Sequence, residues 1–184
     1  LDVDNKGNLW IGTDNEGVFV LNLKNKLFSK FEFKKSKNCT FSTNNIDQVY
    51  FDSEQNLWIC QNGYLLKYDF NLKSFITFEA QKLNERYINE NNVCFITEDK
   101  DKNFWIGSFG CGIYCLNKQQ NIFQVYTRIP ETTCGLRDNS VNAFAEYRKS
   151  IIIGLDVAGL QIFNPEKGLF TNFKTEEFGK THMW

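Results

Sequence analysis

The sequence predicts an all-β protein: a partial β-propeller in which four blades, each a sheet of four antiparallel strands, lie side by side. Three observations carry this expectation. An aromatic phrase recurs as NLWIG at 8–12, NLWIC at 56–60 and NFWIG at 103–107, so that Trp10, Trp58 and Trp105 are 48 and 47 residues apart; a further 47 reaches Ile152 in IIIG. Other columns keep the same ruler. Phe28, Phe75, Phe123 and Phe170 recur at 47, 48 and 47, as do Asn22, Asp69, Asn117 and Asn164. Finally, no stretch of ten or more residues shows helical periodicity. Self-similarity at such a period marks a stacked-repeat architecture, and four short strands per repeat mark propeller blades.

The second unit shows the elements in order. Residues 46–52 (IDQVYFD) are β-branched and aromatic, and 53–56 (SEQN) are turn-like. A short apolar run, LWIC at 57–60, is broken by QNG at 61–63; YLLKYD at 64–69, a turn, and FITF at 75–78 complete a meander. Blades are expected near 1–34, 44–80, 91–128 and 139–175, the first lacking its first strand. The chain begins within a repeat, so further blades are expected on both sides. LWI is apolar without alternation, as in a strand buried on both faces. Each indole hides roughly 150–250 Å², an upper bound of about 4–6 kcal/mol at ~25 cal/mol per Å². The three Trp are therefore expected to wedge neighbouring blades together. Gly12, Gly107 and Gly154 end the motif, and Cys60 replaces glycine in the second copy. A small residue that lets a neighbour approach is thus required there, rather than positive φ.

Asp4, Asp52 and Asp99 precede each Trp by six residues, and Asn8, Asn56 and Asn103 by two. Carboxylates so placed cap turns through backbone N–H groups. DVDNKGN at 2–8 also resembles an oxygen-rich calcium loop, but FDSEQN lacks that ligand set, so no metal is expected.

Composition excludes several classes. Twenty-one basic and 22 acidic residues are interspersed, giving a net charge of −1. No basic stripe is available for a phosphate backbone, and no apolar run approaches the ~18 residues of a membrane span. Neither nucleic acid nor membrane contact is expected. Six cysteines are spread over non-equivalent positions, except Cys39 and Cys134 two repeats apart. Free thiols acting as small hydrophobes are expected, and no cofactor is implied.

The stretches LDVDNKGNLWIGTDNEGVFVLN, NNIDQVYFDSEQNLWIC and NNVCFITEDKDKNFWIGSFGCGIYCLN resemble the two-component regulator propeller repeat, NNxVxxIxxDxxGxLWIGTxxGGLxxYDxxTxxFxxY. Departures are Cys60, Ile152 and Tyr64, the last standing where Gly17, Gly112 and Gly159 stand elsewhere. The resemblance implies a seven-bladed sensor propeller on the periplasmic or extracellular side of a bacterial membrane receptor. It also implies a downstream histidine kinase or diguanylate cyclase, and a receptor homodimer is expected.

Recognition is expected on the face that carries the second-to-third turns and the inter-blade connections, which diverge while the strands agree. The candidate contacts are Asp14, Glu16, Gln61, Asn62, Arg86, Tyr87, Phe109, Arg137 and Asp156. An exposed aromatic with flanking amides suits a carbohydrate or a peptide. Catalysis finds little support: the single His182 has no nucleophile arrangement around it. The four Arg, which are Arg86, Arg128, Arg137 and Arg148, share no inner position of the kind a propeller glycosidase uses. A ligand sensor is the leading expectation; a protein-interaction scaffold and a glycoside hydrolase are the alternatives.

Overall fold

The computed structural model of the chain describes residues 1–33, 45–61, 63–77, 93–117, 122–130, 132 and 134–173, with the backbone alone for 76, 77, 122 and 123. Its strands form four sheets, each made of four strands in chain order. The first contains β1 (Asp2–Val3), β2 (Asn8–Gly12), β3 (Val18–Asn22) and β4 (Phe28–Lys30); the second β5 (Gln48–Phe51), β6 (Leu57–Gln61), β7 (Tyr64–Asp69) and β8 (Ser74–Thr77). The third contains β9 (Val93–Glu98), β10 (Asn103–Ser108), β11 (Ile113–Asn117) and β12 (Ile122–Tyr126); the fourth β13 (Val141–Tyr147), β14 (Ser150–Leu155), β15 (Gly159–Asn164) and β16 (Leu169–Asn172). No helix occurs among the described residues. The first sheet departs from expectation. Its first strand is cut to two residues but is present, with Asp2 opposite Trp10 and Val3 opposite Leu9. The same pairs recur as Tyr50–Trp58 and Phe51–Leu57, so the last two residues of a full strand suffice to close the meander.

The sheets stack face to face, and the first strands of consecutive sheets lie against one another. Each indole crosses a seam. Trp10 meets Phe51 of the second sheet edge-on at 5.4 Å, Trp58 meets Phe104 of the third at 5.0 Å, and Trp105 meets Phe163 of the fourth at 5.3 Å. These are the tilted geometries that the ring quadrupole favours. The three seams are three hydrophobic clusters, each built from both sheets. Polar clasps add direction. The Gln48 side chain donates to Ile96 O (3.0 Å) and accepts from Ile96 N–H (2.7 Å). Tyr50 Oη accepts from Glu98 N–H, and Asp2 Oδ2 from Phe51 N–H.

The small residue after Trp-Ile has a clear cause. A Cβ on Gly12 would stand 2.5 Å from Ile46 Cγ2, and one on Gly107 would stand 2.9 Å from Val141 Cγ1 and 3.0 Å from Phe144. Ile46 leads into the next sheet, and Val141 and Phe144 lie in it. Gly154 faces only Ala143 at 3.4 Å, within its own sheet.

The first sheet turns one face away from its neighbour: Val3, Leu9, Ile11, Phe19, Leu21 and Phe28 share it by register. Their counterparts in the second sheet include Phe51, Leu57, Ile59, Leu66 and Tyr68, all buried against Trp10. Phe28 is accordingly 59% exposed, whereas its counterpart Phe170 is 5% exposed. Ile152, without an indole's reach, is only half-buried.

Candidate functional site

The two ends of the stack differ in kind. At one end lie the turns between first and second strands, and they are built alike. Asp4 Oδ1 accepts from the N–H of Lys6 and Asn8, while Oδ2 accepts from the Asn8 amide and from Trp10 Nε1–H at 2.9 Å. Asp52 and Asp99 repeat the set, with Trp58 and Trp105 donating at 2.9 and 2.8 Å. Burial pushes the Asp4 carboxyl upward, but the hydrogen bonds from Asn8, Trp10 and Lys6 outweigh it and hold the pKa below its ordinary value. The aspartate thus caps its turn, as its position in the repeat predicts, and in addition aims the indole. It faces donors throughout, so its chemistry is that of a cap. The turns between third and fourth strands lie at the same end: Asn22 Oδ1 accepts from Lys24 and Asn25, and Asp69 Oδ1 from Asn71 and Leu72.

At the other end the turns between second and third strands meet the inter-blade connections, and each junction is different. In the first seam Ile46 N–H donates to Thr13 O and Asp47 N–H to Cys60 O, both at 2.9 Å. In the second, Val93 N–H donates to Gly63 O. In the third, Asn139 O accepts from both Gly110 and Gly112 N–H, and Asp156 N–H donates to Ser140 O. Asp138 Oδ1 and Oδ2 accept from Ser140 and Val157 N–H; the Ser140 bond leads in holding that carboxyl below its ordinary pKa. Residues 138–140 therefore join the turn at 108–112 to the turn at 155–159.

The predicted contacts distribute unevenly over this end. Asp14 and Glu16 are exposed in the first turn, where Glu16 pairs with Lys30 at 3.2 Å; between exposed partners such a pair contributes little. Phe109 is 57% exposed at the tip of the third turn. Asp156 accepts from the Asn142 amide. Arg137 has an exposed side chain, and its N–H donates to Gln161 Oε1. Asn62, Arg86 and Tyr87 lie outside the described residues, as does His182. Gln61 is a different matter: it ends β6 and is buried, 2% exposed, with neither side-chain polar atom hydrogen-bonded. An unsatisfied buried amide group costs about 1–3 kcal/mol.

Two placements were not foreseen. Asp138, Asn139 and Ser140 belong to an inter-blade connection expected to be free to vary, not to tie two turns together. Gln161, fully buried, donates to Gly135 O and Asn172 Oδ1 while accepting from Arg137 N–H, and so holds the last connection from beneath. A polar residue in a column otherwise filled by Phe19, Leu66 and Tyr114 was the available signal. Cys60 and Cys115 are buried in the core as small apolar groups. Cys60, Cys94, Cys111, Cys115 and Cys134 are not joined in disulfides, while Cys39 is outside the described residues. Burial drives the Cys60 thiol well above its ordinary pKa and the Cys115 thiol to about 12. No group of three or more His, Cys, Asp or Glu among the described residues is placed to hold a metal ion.

Comparison with known proteins agrees with this architecture. Residues 87–110 match the two component regulator propeller family. No curated protein matches the sequence significantly. Among solved structures, the chain is similar to the extracellular domain of a hybrid two component system from Bacteroides thetaiotaomicron (TM-score 0.72, 20% identity), over 94% of this chain and 24% of that one. A second such domain from the same organism is similar at 24% identity with the same TM-score, over 97% of this chain and 25% of that one. The chain thus spans about a quarter of the length of these domains. Virginiamycin B lyase from Staphylococcus aureus is also similar (TM-score 0.62, 10% identity), over 95% of this chain and 54% of the lyase. The sheets are propeller blades.

Proposed function

We propose that these four blades belong to a non-catalytic, ligand-sensing propeller on the extracytoplasmic side of a bacterial two-component receptor. One observation carries the reading. Indole wedges and aspartate caps repeat from blade to blade, whereas at the opposite end each junction between a turn and the following inter-blade connection is bonded differently. Uniform seams suit a rigid support, and divergent loops on such a support suit recognition. The family match over 87–110 and the likeness to extracellular domains of hybrid two component systems support the extracytoplasmic placement. The ligand class is a carbohydrate or a peptide, and binding biases an existing equilibrium of a receptor homodimer. The test is a thermal-shift screen of the intact protein against oligosaccharides and short peptides, with Asp14→Ala and Phe109→Ala as controls. Sensing predicts a ligand whose shift is reduced by a loop-end substitution. Turnover of a screened glycoside, lost on carboxylate substitution, would instead establish an enzyme, an outcome the lyase neighbour makes worth including. The apolar tips Phe109 and Val157, 57% and 87% exposed, favour a second reading as a protein-docking scaffold. A stable protein complex with no small-ligand shift would select it.

A further inference from the structure

We propose that the loop end of the first seam binds an extended peptide, and that the Gln61 carboxamide clasps one residue of it. The inference rests on the sensing reading above and narrows it to one seam and one chemistry. Gln61 is buried at the end of β6, and both its donor and its acceptor lack partners. The repeat supplies three internal controls for that position. Thr13 and Ser108, at the same register, close their own turns: each hydroxyl donates to the carbonyl of Gly17 or Gly112 at 2.8 Å and accepts an N–H from Glu16 or Cys111. Leu155, the fourth, is apolar and buried in the core. Of the four blades only the second places a carboxamide there, and its turn is one residue shorter than the others. A hydroxyl or an alkyl group would satisfy the fold; an amide is the one choice that leaves hydrogen-bonding capacity in store.

The surroundings are defined by two backbone bonds. Ile46 donates to Thr13 O and the next residue, Asp47, donates to Cys60 O. Asp14 and Gln61 each follow directly the residue so bound. The first turn, the Ile46–Asp47 step and the end of β6 therefore converge, with Gln61 beneath and the exposed Asp14 at the rim.

The same molecule shows what such a carboxamide recognises. Gln48, one seam further on, donates to the carbonyl and accepts from the N–H of a single strand residue, Ile96. In an extended chain those two groups of one residue point to the same side, and a primary carboxamide matches them together. A lone hydroxyl or a carboxylate answers only part of the pair. The Asp14 carboxylate at the rim favours a cationic side chain beside the clasped residue. Gln61 is sealed, so uptake requires the seam to part at its loop end and association is slow for so small a ligand.

The experiment titrates the intact protein with Ac-Lys-Val-Lys-NH2, following tryptophan fluorescence and thermal shift. Ac-Glu-Val-Glu-NH2 and N-acetylglucosamine are the comparison probes. Binding of the lysine peptide, at least tenfold weaker binding of the glutamate peptide, and at least tenfold loss in both Gln61→Leu and Gln61→Met are expected. The unliganded Tm of Gln61→Leu is expected to equal or exceed that of the wild type, because the orphaned groups are gone. Undiminished peptide binding by folded Gln61→Leu overturns the inference. So does N-acetylglucosamine binding that depends on Gln61 while the peptide does not bind. If a ligand from the broader screen is lost in Phe109→Ala but untouched in Gln61→Leu, this site fails while the sensing reading stands. If no ligand shifts the protein at all, both fail.

Discussion

The aspartate–indole pair is the sharpest energetic target in the molecule, and Trp105, bonded to Asp99, is its best-buried indole. Trp105→Phe keeps a ring against Phe163, 5.3 Å away, but removes the N–H that donates to Asp99 Oδ2 at 2.8 Å. The lost bond is to a charged acceptor and is worth about 1.5–3 kcal/mol. The smaller ring adds a void of about 40 Å³, or about 1 kcal/mol at ~24 cal/mol per Å³. Asp99 keeps the Asn103 amide and two backbone donors, so the carboxylate is not stranded. The total is about 2.5–4 kcal/mol. Asp99→Asn turns an acceptor into a donor facing the indole and is expected to cost a similar amount. The double variant should cost less than the sum, by about 1–2 kcal/mol, because both changes sever one contact. The assay is urea unfolding of the intact protein by circular dichroism, with the four chains compared under one buffer. Strict additivity, or a Trp105→Phe cost under about 0.5 kcal/mol, would refute the view that the aspartate aims the wedge.

Three further outcomes follow from the geometry. Gly107→Ala should destabilise by about 1–3 kcal/mol through its clash with Val141 and Phe144, while Gly154→Ala, with only Ala143 near, should cost under about 1 kcal/mol; equal losses in urea melts would contradict the inter-sheet origin of the glycine. The Asp4 pKa is lowered on folding, so its contribution is complete above the unfolded value and disappears as pH falls below about 3.8 through the folded value. Asp4→Asn should therefore flatten the acid limb of the stability curve, seen in melts between about pH 2 and 6. In iodoacetamide labelling at pH 8, the exposed Cys134 should react first, while Cys60 and Cys115, buried with raised pKa values, should wait for unfolding; mass spectrometry of peptides reads the order.

The strand framework was legible because burial imposes the same demand at the same register in every unit. Trp10, Trp58 and Trp105 were predicted wedges, and each meets the next sheet. Tyr64–Asp69 was predicted to the residue. The aspartate columns were read correctly as caps, but the indole bond was not, since spacing gives proximity along the chain and not where a ring nitrogen points. Gln55 and Lys102 adopt the left-handed backbone that Gly7 adopts at the same turn, with φ of 66° and 64°. The aspartate's hydrogen bonds hold that turn without a glycine, so the column shows no consensus to read. Gln61 was taken for a loop contact because QNG looks like a turn; the strand runs one residue further and carries the side chain under cover. Loop-end geometry was the least legible part, because the connections join the turns through different backbone bonds at each seam.

The three residues 138–140 have a mechanical consequence. Their carbonyls and one carboxylate are tied to both the Gly110–Gly112 backbone and the Asp156–Val157 backbone. Neither tip can shift by an ångström without stretching bonds to the same short strap, so a push at Phe109 is felt one blade away at Val157. A probe on one tip would therefore report events at the other, and Asp138→Ala, which removes the tie to Val157 but leaves the backbone bonds of Asn139 and Ser140, would weaken that coupling.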